Sequence, residues 1–210
     1  MVRSPRERRC FRVPSGLVIS AAMLLVLVSA PSSFASSSTA QNVEPSFGPS
    51  LTIRVSHLFH AIATDSLTVG EPLFFPESAY VAMKTGRIPS PVRDFQDRLL
   101  VFFRLDLGAY HAALSAHGPA TFVGVNANAA DAAWIAPGVC ENSIGYWHVP
   151  GVRLVYRVKG VVRSVAVDSL ISWRGVWYVV HLGPNPRPAN VGTVDAPSLG
   201  RGVAGLAGGC

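Results

Sequence analysis

The 210-residue chain has few of the signatures that announce a reaction. It holds no G-x-S-x-G elbow, no phosphate-binding glycine loop, no H-E-x-x-H and no C-x-x-C, so nothing in it argues for a serine hydrolase, a nucleotide-phosphate site, a zinc peptidase or a dithiol redox centre. It has three cysteines, and only Cys140 and Cys210 lie beyond residue 35. No internal repeat is present. No apolar run reaches the roughly 20 residues that span a bilayer. Basic charge is also sparse once its location is considered. The formal net charge is +6, from 18 basic and 12 acidic residues. Residues 1–35 carry Arg3, Arg6, Arg8, Arg9 and Arg12 against Glu7, and the remaining chain is close to balanced. The high isoelectric point is a property of the leader and gives no footprint for nucleic acid.

What the sequence does have begins with that leader. A basic start, an apolar core at residues 17–30 and small residues at Ser33 and Ala35 are the layout of an export signal cleaved after about Ala35. A membrane anchor is the competing reading, and the short core argues against it. The Arg8-Arg9 pair loosely fits twin-arginine export, whereas the strongly apolar core favours the general secretory route. The expected location is therefore secreted, or periplasmic and cell envelope. Membrane contact is expected only through the uncleaved signal. In that setting an even pair, Cys140 and Cys210, reads as a disulfide; free thiols or an intermolecular bond are the alternatives.

Residues 154–182, LVYRVKGVVRSVAVDSLISWRGVWYVVHL, form the densest strand-forming run. Lys159-Gly160 and Arg174-Gly175 divide it, and a glycine in second position suits a two-residue hairpin turn. The spacing predicts a three-strand antiparallel meander. Its turns set Val158 opposite Val161, Tyr156 opposite Arg163, Trp173 opposite Val176, Ile171 opposite Tyr178 and Ser169 opposite Val180. These residues share one apolar face, expected to meet helices. The other face is mixed and includes Arg153, Arg157, Asp168, Leu170, Trp177, Val179 and His181. The middle strand is about fourteen residues long, beyond the usual five or six. Such a strand must coil, and a bulge near Ser169 would exchange the two faces beyond it.

Upstream, residues 36–49 read as a flexible spacer. Leu51, Val55, Leu58, Phe59 and Ile62 fall at helical spacing over residues 51–63, with Ser50 as cap and a strand reading left open. A short helix is expected at 77–85. Ser90 as cap, Pro91 at the first helical position and an apolar stripe from Val92 to Leu114 predict a helix over 90–116. A strand is expected at 121–126, a helical turn at 128–134, and a loop at 136–151 with a short strand inside it. Residues 184–210 form a Gly- and Pro-rich tail with no periodicity. One α+β domain over residues 50–183 is the expectation, with N-terminal helices packed on a curved antiparallel meander.

The chemistry expected on this frame is modest. Direct opposition of Asp168 and His181 on the mixed face would let a carboxylate orient an imidazole, as in a general acid/base dyad. A surface ion pair is the plainer account of the same residues. Tyr146, Trp147 and His148 could line a pocket mouth, since aromatic residues with polar tips suit binding sites; a loop packed against the core beside the disulfide is the plainer account. Arg153 and Arg157 near Trp177 could hold an anionic ligand or partner. His57 and His60 share a helix face but lack further ligands, so no metal is expected. No cofactor is expected either.

The ending SWRGVWYVVHLG, residues 172–183, looks like the last hairpin of cystatin-like and nuclear-transport-factor-like cone folds. With PGVCENSIGYWHVPG, residues 137–151, and the terminal cysteine, it also resembles exported mycobacterial proteins. The resemblance covers about residues 70–182. It implies a cone-shaped α+β fold and a cell-envelope setting, and it carries no catalytic residues. The leading expectation is a non-catalytic exported domain that binds a small hydrophobic ligand or a protein partner through Tyr146, Trp147, Arg153, Arg157 and Trp177. The alternative is an isomerase- or dehydratase-like enzyme using Asp168 and His181 in the sheet concavity. A purely accessory role in envelope assembly is a third.

Overall fold

A computed structural model describes residues 41–84, 86–187 and 190–205. The leader, the spacer up to residue 40 and Cys210 lie outside the described residues, and with them the expected Cys140–Cys210 bridge. The architecture is α+β, with helices first and an antiparallel sheet after them.

Helix α1, Pro49–Ala63, buries Leu51, Val55, Leu58, Phe59 and Ile62, the stripe its spacing predicts. Its cap is Gly48 with Pro49 in the first turn, not Ser50. A short helix α2, Leu67–Gly70, runs into a 3-10 turn at Glu71–Leu73. Helix α3 covers Glu77–Met83. The segment predicted as one helix comprises α4, Pro91–Asp94, a π turn at Phe95–Leu99, and α5, Leu100–Ser115. A π turn widens the helix by one residue and recurs at functional sites; here it carries Arg98 and Leu99. Among the described residues, no helix is long and apolar enough to cross a membrane.

The sheet is built on two thirteen-residue strands, β3 at Tyr146–Val158 and β4 at Val161–Trp173. The outer edge of β3 is shared by β1, Ala120–Asn126, and β2, Ala133–Ile135. The outer edge of β4 is shared by β5, Val176–His181, and β6, Ser198–Leu199. Both tight turns form as predicted. Lys159 and Gly160 take φ +49° and +80°, and Arg174 and Gly175 take +50° and +78°. Positive φ at both central residues matches the strand twist, and the β3–β4 register follows from it, with Val158 opposite Val161 and Leu154 opposite Val165.

Three expectations are corrected. First, the short strand expected inside the 136–151 loop is the beginning of the long β3, which starts at Tyr146, passes through Pro150 and bends at Gly151, φ +55°. Second, His181 does not keep the face that simple alternation gives it. The β4–β5 pairing slips by one residue between Leu170 and Ser169. On the turn side of the slip, Leu170, Trp177 and Val179 share the mixed face as expected, but that face is covered by α1, where with Leu51, Val55 and Leu58 they line a small apolar gap. Ser169 and Ile171 look towards α3 and the π turn across a pocket, and His181 joins them there. A long two-strand ribbon must coil, and a bulge adds local twist. Third, the Gly- and Pro-rich tail, expected to be tethered through Cys210, is held along its own backbone. Its backbone continues the sheet beside β4, with Asp195 O accepting from Ala166 N at 3.0 Å and Leu199 opposite Arg163.

The tail is held to α5 by two buried polar nodes. Asp106 receives Arg187 Nη1 at 2.8 Å and Nη2 at 2.6 Å, and also the backbone N–H groups of Gly183 at 2.9 Å and Thr193 at 3.1 Å. The Tyr110 hydroxyl lies 2.6 Å from Ala166 O and 2.7 Å from Leu182 O and accepts the Asp195 N–H at 3.0 Å. Tyr110 is fully buried, so one side chain joins helix, sheet and tail.

Candidate functional site

A cavity of about 610 Å³ lies at the end of the sheet nearest α3. Such a volume falls within the roughly 300–1,000 Å³ typical of small-molecule sites. Its sheet side is formed by His148, Pro150, Ser169 and Ile171, which alternate on β3 and β4, and by Val180 and His181 of β5. Its helical side carries Phe75, Tyr80, Met83 and Lys84, with Arg98 and Leu99 from the π turn. The end of β2 and the loop before β3 close a third side, with Ile135 from the strand and Glu141 and Asn142 from the loop. That loop is pinned to the end of α3, since Ser143 donates from its N–H to Met83 O at 2.6 Å and from Oγ at 3.1 Å. Cys140 and Glu141, on the same rim, adopt φ +52° and +60°, an uncommon conformation for residues with a side chain.

The pairing slip determines what enters the cavity from β5. Ser169 pairs with His181, and Val180 becomes the extra residue of the bulge. Both Val180 and His181 therefore reach the cavity wall. His148 Nε2 lies 3.0 Å from Ser169 Oγ, a side-chain contact from β3 to β4. Burial lowers the pKa of His148. It lowers that of His181 to about 3, and Arg98, Arg187, His148 and Lys84 push in the same direction. Both imidazoles are thus neutral near pH 7, each offering one N–H donor.

The opposite wall is cationic and partly neutralised. Arg98 grips Asp94 with Nε to Oδ1 and Nη2 to Oδ2, both at 2.7 Å, and the Tyr80 hydroxyl donates to Asp94 Oδ2. The Arg98 guanidinium holds the Asp94 carboxyl below its ordinary range, while burial, reinforced by Asp94, raises the Tyr80 hydroxyl. Lys84 has no such partner. Its ammonium lies 4.9 Å from the Tyr80 ring centre and 3.4 Å from Cys140 O, and among the described residues no carboxylate stands within 4 Å of it. Burial lowers its pKa, partly countered by Glu141.

The residues singled out from the sequence are scattered by this arrangement. Asp168 is not opposite His181 and is absent from the cavity wall. It is 1% exposed, one of its oxygens has no partner, and its pKa rises to about 7 through burial and the nearby Asp195 carboxylate. Tyr146 and His148 are on the wall, and Tyr146 packs beneath Asn142. Trp147 stands on the other side of β3, stacks edge-on with Trp134, and donates from Nε1 to Asn42 O at 3.1 Å. Trp177 is buried, its Nε1 donating to Pro45 O at 3.1 Å. Arg153 is buried, donating to Ser164 Oγ at 2.8 Å and Ser198 Oγ at 3.0 Å. Of the five residues expected to form one contact surface, Arg157 alone is classed as exposed. Among the described residues, no cluster of histidine, cysteine and carboxylate side chains could hold a metal. His57 and His60 are both exposed on α1.

Ser169, Lys84 and Met83 carry no sequence signal that would have marked them. His148 was visible only as one polar aromatic in an aromatic triplet. No family model matches the chain, and no curated protein or solved structure matches it.

Proposed function

We propose that the chain is an exported domain that binds a small, largely apolar molecule in the cavity beside α3. The cavity itself carries the reading, because a volume of about 610 Å³ joins apolar walls to a few convergent polar groups. Export rests on the leader, with its basic start and short apolar core. The Cys140–Cys210 bridge and the cystatin-like cone belong to the same reading, one from the compartment and the other from the order of helices before a coiled sheet. Binding is favoured over catalysis because the acid expected to orient His181 does not reach it, and among the described residues no carboxylate hydrogen-bonds either imidazole.

The test is titration of the purified protein with N-phenyl-1-naphthylamine, a neutral dye that fluoresces in apolar sites. Saturable one-to-one binding is expected. Ile171→Trp should abolish it by filling the cavity, with the fold intact by circular dichroism. No saturable binding, or binding indifferent to Ile171→Trp, would leave an accessory role in its place.

A further inference from the structure

The cavity wall is amphiphilic. Met83, Leu99, Ile135 and Ile171 provide apolar contact, while Lys84, His148, Ser169 and His181 gather polar groups on the same wall system. The charges are unequal in availability. Arg98 is committed to Asp94 through two 2.7 Å bonds. Glu141 is classed as exposed at the rim. Asp131 lies against the tail, where a Cβ on Gly205 would fall 2.0 Å from its Oδ2. Lys84 is the half-buried cation whose only hydrogen bond within the described residues is a 3.4 Å contact to a carbonyl. A half-withdrawn ammonium with no carboxylate in bonding reach is unfavourable in proportion to its desolvation. A carboxylate arriving with a ligand would supply that partner and form charge-assisted bonds.

We propose that the cavity takes an amphiphilic monocarboxylate, its carboxylate at the Lys84 ammonium beside the His148–Ser169 pair and its hydrocarbon against Met83, Leu99 and Ile171. The inference rests on the ligand-binding reading above and specifies its chemistry. Burial is the main reason His181 stays uncharged, and Arg98, Arg187 and Lys84 add a field of the sign that attracts an anion. A cationic amphiphile would meet that field and Lys84 unfavourably. A neutral alcohol of equal chain length would gain the apolar contacts and leave Lys84 unpartnered.

The experiment displaces bound N-phenyl-1-naphthylamine from the purified protein with dodecanoate, 1-dodecanol or dodecylammonium at pH 7.5. Dodecanoate should displace the dye at a concentration about tenfold below that of dodecanol, the worth of one charge-assisted hydrogen bond. Dodecylammonium should be the weakest. Lys84→Met should erase the advantage of dodecanoate over dodecanol, since the charge rather than the stem supplies the difference. Equal displacement by dodecanoate and dodecanol, or preference for dodecylammonium, overturns the carboxylate inference and leaves the ligand-binding reading standing. Those comparisons use the unmodified protein and hold even if Lys84→Met fails to fold. Failure of the dye and of all three amphiphiles to bind overturns both.

Discussion

Ser169 stands opposite His181 in the last hairpin, one residue out of the register that the Arg174–Gly175 turn imposes on Trp173 and Ile171. The slip separates two ionisable neighbours that simple alternation would join. Asp168 stays inside the protein with one oxygen unpartnered, and His181 enters the cavity wall. Each then prefers its neutral form.

Their pH dependences oppose one another. Asp168 titrates near 7 in the folded protein against an ordinary 3.8, so the folded state holds a proton that the unfolded chain releases between those values. Stability from this group falls as pH rises through about 4 to 7, by an amount on the order of 2–4 kcal/mol. Asp195 is displaced in the same direction by burial. His181 titrates near 3 against 6.5, so its contribution is lost as pH falls from about 6.5 towards 3. The two slopes offset each other between about pH 4 and 6.5. Urea unfolding from pH 4 to 8 should therefore show Asp168→Asn rising in stability with pH and exceeding the parent above pH 7. His181→Gln should show stability falling with pH. Identical profiles for parent and both variants would contradict the assignment.

The parts of this protein that were legible in its sequence are those fixed by neighbours along the chain. Both glycine turns set their hairpins, and the α1 stripe follows from side chains three and four residues apart. The length of β4 marked Ser169 as a place for a bulge, and the slip falls there; that β5 takes the extra residue at Val180 was not legible, because YVVHL alternates no differently from a regular strand. Neither was the docking of the tail. Its Gly and Pro content describes a chain that cannot fold alone, and says nothing of a partner elsewhere. That partner is Asp106, 81 residues before Arg187 on a helix face. The cavity follows from the same long-range events, since it draws on α3, the π turn, β3, β4 and β5, and of its lining only Tyr146, His148 and His181 had stood out as binding or catalytic candidates.

The Asp106–Arg187 pair should dominate the attachment of the tail. The two side chains are 1% and 3% exposed, and Arg187 also lies 4.3 Å from the Phe102 ring centre. Breaking a buried pair from one side strands the other charge, at about 3–5 kcal/mol. Arg187→Met and Asp106→Ala should each lower stability by that order in urea titrations. The double variant should cost clearly less than the sum, because neither charge is then left alone. Strict additivity would mean that the pair is not coupled.

Arg153 and Arg157 provide a comparison on a single strand. Arg153 is 2% exposed and bonds Ser164 and Ser198, so it ties β3 to β4 and to the tail. Arg157, four residues further along β3, is exposed. Arg153→Ala should destabilise the protein by about 2 kcal/mol or more through the lost charged hydrogen bonds and the void left behind. Arg157→Ala should stay within about 0.5 kcal/mol, as surface changes usually do. Equal costs, measured by thermal and urea unfolding, would mean that Arg153 is not buried in solution.

Close backbone approach gives the most discriminating test of the docked tail. A Cβ on Gly192 would lie 2.0 Å from Leu105 O and 2.6 Å from Leu105 C, both backbone atoms of α5. The helix cannot yield there without losing its own hydrogen bonds, so the tail has to lift. Lifting it endangers the adjacent Thr193 N–H bond to Asp106, which is 3.1 Å long. Gly192→Ala should therefore destabilise by about 1–3 kcal/mol and expose the neighbouring tail to proteolysis. Gly86 is the internal control, since a Cβ there meets nothing within 4 Å and its φ is not positive. Gly86→Ala should be neutral or stabilising by up to about 1 kcal/mol, because it only reduces the freedom of the unfolded chain. If Gly192→Ala were as harmless as Gly86→Ala, the tail would not be packed on α5 in solution, and the shielding of Arg187 and Asp106 would have to come from elsewhere.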